Sequence, residues 1–267
     1  MKNTLLNNGR SIAYHAAALQ LPGPPAVLLH GLCEDASVWE PVLTFFQNQP
    51  VLRIELPGFG ASEPPLAPGM DKYADAVCAV LNELNIRRCI LYGHSMGGYT
   101  ALAFAQKHPE RLAGFSLLHS HPFTDTPEQA ENRRRAIALL QSGKLEAYVT
   151  QLFGGLFAPE FAENQPEVIQ ARVGKAKQGS AEGVIAALQG MLERENHEAT
   201  LEQADCPVQF ILGALDPIIP PNRALQAAAL PQTADIHLLK GVAHMGMFEA
   251  TEKTGRAMAE FWEFCKK

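Results

Sequence analysis

A chain of 267 residues with 47% hydrophobic content has the length and apolar share to bury a full core, as one large α/β domain or two smaller ones. The net charge of −6 is modest and no basic run exceeds Arg133-Arg134-Arg135, so the sequence predicts neither a nucleic-acid nor an anionic-membrane partner, and no window approaches the ~20 apolar residues of a membrane span. Five scattered cysteines (Cys33, Cys78, Cys89, Cys206, Cys265) form no CxxC pair and no metal-ligand spacing, and Met1 to Arg10 is polar without an apolar signal core; together these predict free thiols in a cytoplasmic protein.

Lys2 to Leu6 and Ser11 to His15 flank Asn7-Asn8-Gly9-Arg10, whose Asn-Gly pair suits the positive φ angles of a tight hairpin turn. Short apolar runs then alternate with helical patterns: Ala26 to His30, Ala36 to Phe46, Val51 to Leu56, Met70 to Leu84, Arg88 to Tyr92, Tyr99 to His108 and Leu112 to His119. Near-continuous apolar strands between helices predict a mostly parallel sheet covered on both faces. From about His121 to Ala204 the rhythm breaks into about four helical pieces, interrupted at Ser142-Gly143, Pro159, Pro166 and Gly179-Ser180. This stretch reads as a helical cap, residues 121–204, inserted over the C-terminal edge of a core formed by 1–120 and 205–267. The strand rhythm resumes with Val208 to Leu212, a helix over Asn222 to Ala229, a strand over Ile236 to Leu239, and a last helix from about Met245 to Phe264.

One serine lies where a strand gives way to a helix, in Gly93-His94-Ser95-Met96-Gly97. A sharp turn there needs glycines beside the serine, and it lifts the hydroxyl above the sheet edge while placing the Met96 N–H at a helix start, where an oxyanion is stabilised. A serine hydroxyl is a poor nucleophile without a base and a group that orients the base. Asp216, in Gly213-Ala214-Leu215-Asp216-Pro217, and His244, in Gly241-Val242-Ala243-His244-Met245, each follow a strand and so face the same edge. Asp125, after the strand ending near His119, is the alternative acid, although a turn or helix-capping aspartate before Pro127 explains it as well. Leu32, in His30-Gly31-Leu32, offers a second oxyanion donor beside Met96. His119 and His121 share a face in extended chain, but no third ligand stands at metal-site spacing; His121 instead suits a pocket lining. Arg135 pairs with Glu131 at i,i+4 as a surface signature, whereas Arg133 shares its stripe with Ile137 and Leu140 and, facing inward, would favour an anionic substrate. Phe123, Phe153 and Phe157 belong to an apolar set in the insertion that predicts a pocket for an acyl or aryl group. Cys33 has no base beside it and reads as a packed residue.

The combination of His30-Gly31, the Leu56 to Ser62 loop Leu-Pro-Gly-Phe-Gly-Ala-Ser, Gly93 to Gly98, Asp216 with Pro220 behind it, and Gly241 to Glu249 around His244 resembles the α/β-hydrolase superfamily, specifically its serine esterase-like members with a helical cap. Glu55 departs from the aspartate usual before the Leu-Pro-Gly loop. The resemblance implies an α/β-hydrolase fold over essentially the whole chain and a Ser95-His244-Asp216 triad. It also implies a hydrolase that cleaves a small carboxylic ester or thioester through an acyl-enzyme, with no cofactor and no metal. Ser95 stands where the haloalkane dehalogenases and epoxide hydrolases of this fold carry an aspartate, which argues against both. The alternatives are a C–C bond hydrolase or lyase on the same triad, and a ligand-sensing, non-enzymatic protein of the same fold.

Overall fold

The computed structural model describes residues 2–7 and 9–267. Eight strands form one sheet in the order β1 (Lys2–Asn7), β2 (Arg10–Ala17), β4 (Val51–Ile54), β3 (Ala26–Leu29), β5 (Cys89–His94), β6 (Leu112–Leu118), β7 (Val208–Gly213), β8 (Ala234–Leu239). β1 and β2 run antiparallel to their neighbours and every pair from β4 to β8 is parallel, as near-continuous apolar strands require. The hairpin is present, with Asn7 opposite Arg10 and Gly9 at φ +79°; the expected turn residue Asn8 lies outside the described residues.

Helices α1 (Met70–Glu83) and α2 (Met96–Lys107) pack on each other, and the last long helix lies against β5 to β8 on the sheet. β3, β5, β6 and β7 are buried along their whole length. Between β6 and β7 come six helices: α3 (Pro127–Gln141), α4 (Leu145–Gly154), α5 (Pro159–Asn164), α6 (Pro166–Ala176), α7 (Ala181–Glu193) and α8 (Glu198–Glu202). Their breaks fall at Ser142-Gly143, Pro159, Pro166 and Ser180, where a positive-φ glycine, two N1 prolines and a serine N-cap stop or start a helix. α9 (Pro221–Ala227) precedes β8.

The insertion holds six helices where the sequence reading expected about four, and two further elements differ from it. Ala36–Phe46 is a 3-10 helix with Pro41 inside, started by Asp35, whose carboxylate accepts the Ser37 N–H at 2.8 Å. The single final helix is two, α10 (Gly246–Glu249) and α11 (Thr251–Cys265), broken at Ala250 with φ −144°. The periodicity runs through the break, but the Glu249 carboxylate turns back to accept the N–H groups of Ala243 (3.0 Å) and Met245 (2.8 Å), and the chain must kink to let it. No described helix is long and apolar enough to cross a membrane.

Backbones approach closely where β5 meets α2. A Cβ on Gly97 would press into the Leu29 carbonyl, and one on Gly93 into the Gly97 carbonyl, so helix start and neighbouring strand touch backbone to backbone. Gly97→Ala must therefore shift α2 against β3, and overpacking of this kind costs about 1–3 kcal/mol. Urea denaturation should show a lower midpoint with an unchanged slope.

Candidate active site

Ser95 stands between β5 and α2 at φ +51° and ψ −113°, a left-handed conformation rare for a side chain with a Cβ. The strain is held by the glycine contacts around it and by Ser120 Oγ, which donates to the Ser95 carbonyl at 2.9 Å. Ser95 and His244 line one cavity of about 820 Å³, floored by the sheet edge and roofed by α3, α4 and α7. Neither the Ser95 hydroxyl nor His244 Nε2 makes a hydrogen bond to protein, each other included, among the described residues. Such pairs often tighten only with substrate present.

His244 Nδ1 lies 2.8 Å from Asp216 Oδ2, which places the ring proton on Nδ1 and the free lone pair on Nε2. The other Asp216 oxygen accepts the N–H groups of Ile218 (2.9 Å) and Ile219 (2.8 Å). Burial opposes the charged form of Asp216, yet His244 and the hydrogen bonds from two imidazoles hold it well below the ordinary carboxylate range. The second imidazole is His119, at φ +47°, whose Nδ1 donates to Oδ2 at 3.1 Å while its Nε2 accepts the Gly246 N–H at 3.2 Å. Burial pushes the His119 pKa down to about 4, so the ring is a neutral donor at pH 7. Asp216, His119 and His244 are close enough to suggest a metal triad. The Gly246 contact speaks against that, because it leaves a proton on His119 Nδ1 where a ligand needs a lone pair.

A second buried pair supports His244 from behind. His94 Nε2 donates to the His244 carbonyl at 2.9 Å, and His94 Nδ1 lies 2.9 Å from Glu34 Oε2, which also accepts the Gly31 N–H at 2.6 Å. Burial disfavours an imidazolium here, but the Glu34 charge outweighs it and raises the His94 pKa, while Glu34 is held below its ordinary value. With acceptors at both nitrogens, His94 carries both protons. The pair is neutral overall, so the Glu34 charge does not oppose an anion forming nearby. The N–H groups of Leu32 and Met96 have no protein acceptor among the described residues; Leu32 lines the cavity, and Met96 opens α2. His30 holds the Leu32 loop, with Nδ1 donating to the Gly31 carbonyl at 2.8 Å and Nε2 accepting the Leu56 N–H at 2.9 Å. Glu55, longer than the aspartate of the family pattern, reaches the Ala61 N–H at 2.6 Å and His15 at 3.1 Å, so the Leu56 to Ser62 loop is anchored.

Several expected roles are corrected. Asp125 is neither a helix cap nor a partner of His244: Thr126 caps α3 in a box with Gln129, and the Asp125 carboxylate is held by Arg133 (2.6 and 3.1 Å) and Arg194 (2.9 Å). Arg133 lines the cavity, but His121, Phe123, Phe153 and Phe157 do not. The reason is local packing. Phe157 stacks on Phe161 at 5.3 Å, Phe123 lies under the Arg223 guanidinium at 4.8 Å, and His121 packs against Tyr99 at 5.7 Å. Phe153 lines a second cavity, of about 330 Å³, with Cys33, Glu34 and Phe59. The Cys33 thiol is pushed far up by burial and then by Glu34, which disarms it as a nucleophile. The apolar lining comes instead from Tyr99, Leu139, Tyr148, Leu152, Leu188 and Met191. Glu34, His94 and Glu249 are site residues that the sequence reading passed over, and His119, weighed there only as a metal ligand, is instead a donor to Asp216. Glu34 and His94 carry a legible signal, being charged or titratable within three residues of the Leu32 and Ser95 motifs. His119 and Glu249 acquire their partners only through the fold.

His119 gives the site a pH signature. Its folded-state pKa near 4 lies below the ~6.5 of an unfolded histidine, so the unfolded chain binds the extra proton first. Its stabilising effect is complete above pH 6.5 and is lost as pH falls toward 4, by about 3 kcal/mol. Urea midpoints measured from pH 7 to 4 should fall, and less steeply in His119→Gln.

A family model described as alpha/beta hydrolase fold matches residues 24–251. The chain is 28% identical over 251 residues to the dihydrolipoyllysine-residue acetyltransferase component of the acetoin cleaving system of Pseudomonas putida, covering 90% of this chain and 63% of that longer protein. It is 28% identical over 219 residues to 3-oxoadipate enol-lactonase 2 of Acinetobacter baylyi, covering 81% and 80% of the two chains. Among solved structures, a malate-bound thermophilic esterase from Thermogutta terrifontis superimposes with a TM-score of 0.92 at 27% identity, covering 100% of both chains. With a match to most of its length, an eight-stranded sheet of the required order and a serine at the β5 turn, this chain belongs to the α/β-hydrolase fold family.

Proposed function

We propose that the protein is a serine hydrolase that cleaves a small carboxylic ester or thioester through an acyl-enzyme. His244 Nε2 takes the Ser95 proton as the oxygen attacks the carbonyl, Asp216 holds the imidazole tautomer and stabilises its charged form, and the Leu32 and Met96 N–H groups receive the oxyanion. His244 then protonates the leaving group and activates water for the second half of the reaction. The observation that carries this reading is the open end of the triad: His244 has one nitrogen locked on Asp216 and the other free at a cavity shared with a strained serine. We take residues 121–204 as a cap on a core of 1–120 and 205–267, since α3, α4 and α7 contribute the cavity roof. The five thiols, none bonded to another, suit the cytoplasm.

A C–C bond hydrolase or lyase on the same triad is the second reading, favoured by the cationic Arg133 in the cavity. Product identity separates the two, because an ester gives an alcohol or thiol and a carbon acid does not. A sensor of the same fold would stall after about one equivalent of ester, whereas an enzyme cycles.

A fluorophosphonate should label Ser95 and leave the cysteines untouched, as read by peptide mass spectrometry. Ser95→Ala should fold normally and lose on the order of 10³-fold or more in kcat. Near-normal hydrolysis by a pure preparation of that variant would sink the mechanism. Asp216→Asn offers His244 an amide in place of an anion and permits the wrong tautomer, so kcat on a neutral ester should drop by roughly 10⁴-fold, as for that change in serine proteases. Asp125→Asn should stay within about tenfold on the same ester, because its partners are arginines and not His244.

A further inference from the structure

The cavity above Ser95 is apolar over most of its wall but carries an uneven charge. Glu34 is the one carboxylate in its lining, and His94 neutralises it. On the roof, α3 supplies Arg133, whose Nε and Nη2 grip both oxygens of Asp125, leaving Nη1 with no protein acceptor among the described residues. Asp125 is itself shared. Arg194 reaches it at 2.9 Å, spends its remaining nitrogens on the carbonyls of Phe123 and Met191, and lies 4.3 Å over the Tyr99 ring. Arg223 sits beside them over Phe123. One carboxylate thus stands against two guanidinium groups with a third nearby, a surplus of positive charge behind the stretch of cavity wall that Arg133 forms. His121, buried in the same neighbourhood, registers the field: burial first, then Arg194, Arg223 and Arg133, against the opposing pull of Asp125, push its pKa down to about 3.

We propose that Arg133 is an anion anchor for the cavity and that the compound cleaved at Ser95 carries a carboxylate remote from its ester, thioester or lactone bond. The class is a half-ester, half-thioester or lactone of a dicarboxylic or hydroxydicarboxylic acid. This rests on the serine hydrolase reading above. The Asp125 fork makes Arg133 suited to the task. Bidentate pairing fixes the guanidinium plane before any ligand arrives, so Nη1 is presented without the rotamer entropy that a free arginine loses on binding. Arg194, whose nitrogens are occupied by backbone carbonyls, frames the roof and does not compete for the ligand. The apolar stretch of Leu139, Tyr148 and Leu152 suits the methylene chain between the two ends of such a substrate.

The test compares mono-4-nitrophenyl glutarate with 4-nitrophenyl valerate, which match in length and differ in terminal charge. The wild type should favour the glutarate in kcat/KM. Arg133→Met should cut kcat/KM for the glutarate by about ten- to hundredfold, the usual worth of a charge-assisted hydrogen bond, mainly through KM, and change the valerate by less than about threefold. Equal losses on both esters, or a wild-type preference for the valerate, overturn the proposal. Should Arg133→Met fail to fold, salt decides on the wild type alone: raising NaCl from about 0.05 to 1 M should weaken the glutarate preference, and an unchanged ratio counts against the anchor. Glutarate dianion, which cannot turn over, should raise the thermal midpoint of the wild type, and absence of any shift at concentrations up to ~50 mM also overturns it. That binding assay keeps the two readings separable, since a protein that binds glutarate but cleaves neither ester fails as a hydrolase and not as an anion binder.

Discussion

The carboxylate of Asp216 is the fixed point of the site. It receives four donors, two backbone N–H groups on one oxygen and two imidazoles on the other, at 2.8 to 3.1 Å. A buried anion is tolerable only when its lone pairs are filled, and the four donors come from three places: two from the loop after β7, one from the end of β6 and one from the loop after β8. Three consecutive strands of the sheet are thereby registered at their C-terminal ends by one side chain. The same geometry sets the His244 tautomer, because a proton committed to Nδ1 leaves the Nε2 lone pair free.

Around that point the His244 backbone is gripped on all sides. Its N–H donates to the Leu156 carbonyl at 2.9 Å, its carbonyl accepts a hydrogen bond from His94 Nε2, and the N–H groups of both neighbours go to Glu249. Glu34 extends the grip to Gly31, beside the Leu32 N–H, so the loops after β3, β5 and β8 share one hydrogen-bonded network. A network of this kind is costly when incomplete and rigid when complete. Within it the Glu34 charge is cancelled by His94, whereas the carboxylates of Asp216 and Glu249 are held by neutral N–H donors.

The placement of the strands along the chain, the helical insertion and the positions of Ser95, Asp216 and His244 are legible in the sequence because each has a local cause: an apolar run, a proline or glycine break, a glycine-flanked turn. The kink at Ala250 is not, since its origin is a carboxylate that reaches back six residues to Ala243 and ninety-one to Ala158. Nor is the fate of the aromatic residues Phe123, Phe153 and Phe157. Composition marks them as buried, but whether a buried ring faces a cavity or another ring depends on how six short helices settle against each other. Asp125 illustrates the same limit. Its position before Pro127 is what a cap looks like, and only the fold brings Arg194 from sixty-nine residues away to claim it.

The insertion is bolted to the base. Leu156 and Ala158, between α4 and α5, bind the His244 N–H and the Glu249 carboxylate, so this end of the roof is tied directly to the loop that carries His244. The flank formed by α3 and the start of α4 has no such tie to His244 among the described residues, and it contributes Gln129, Asn132 and Arg135 to the cavity lining. Exchanges at these three positions would reshape the cavity without touching the contacts that hold His244 in place.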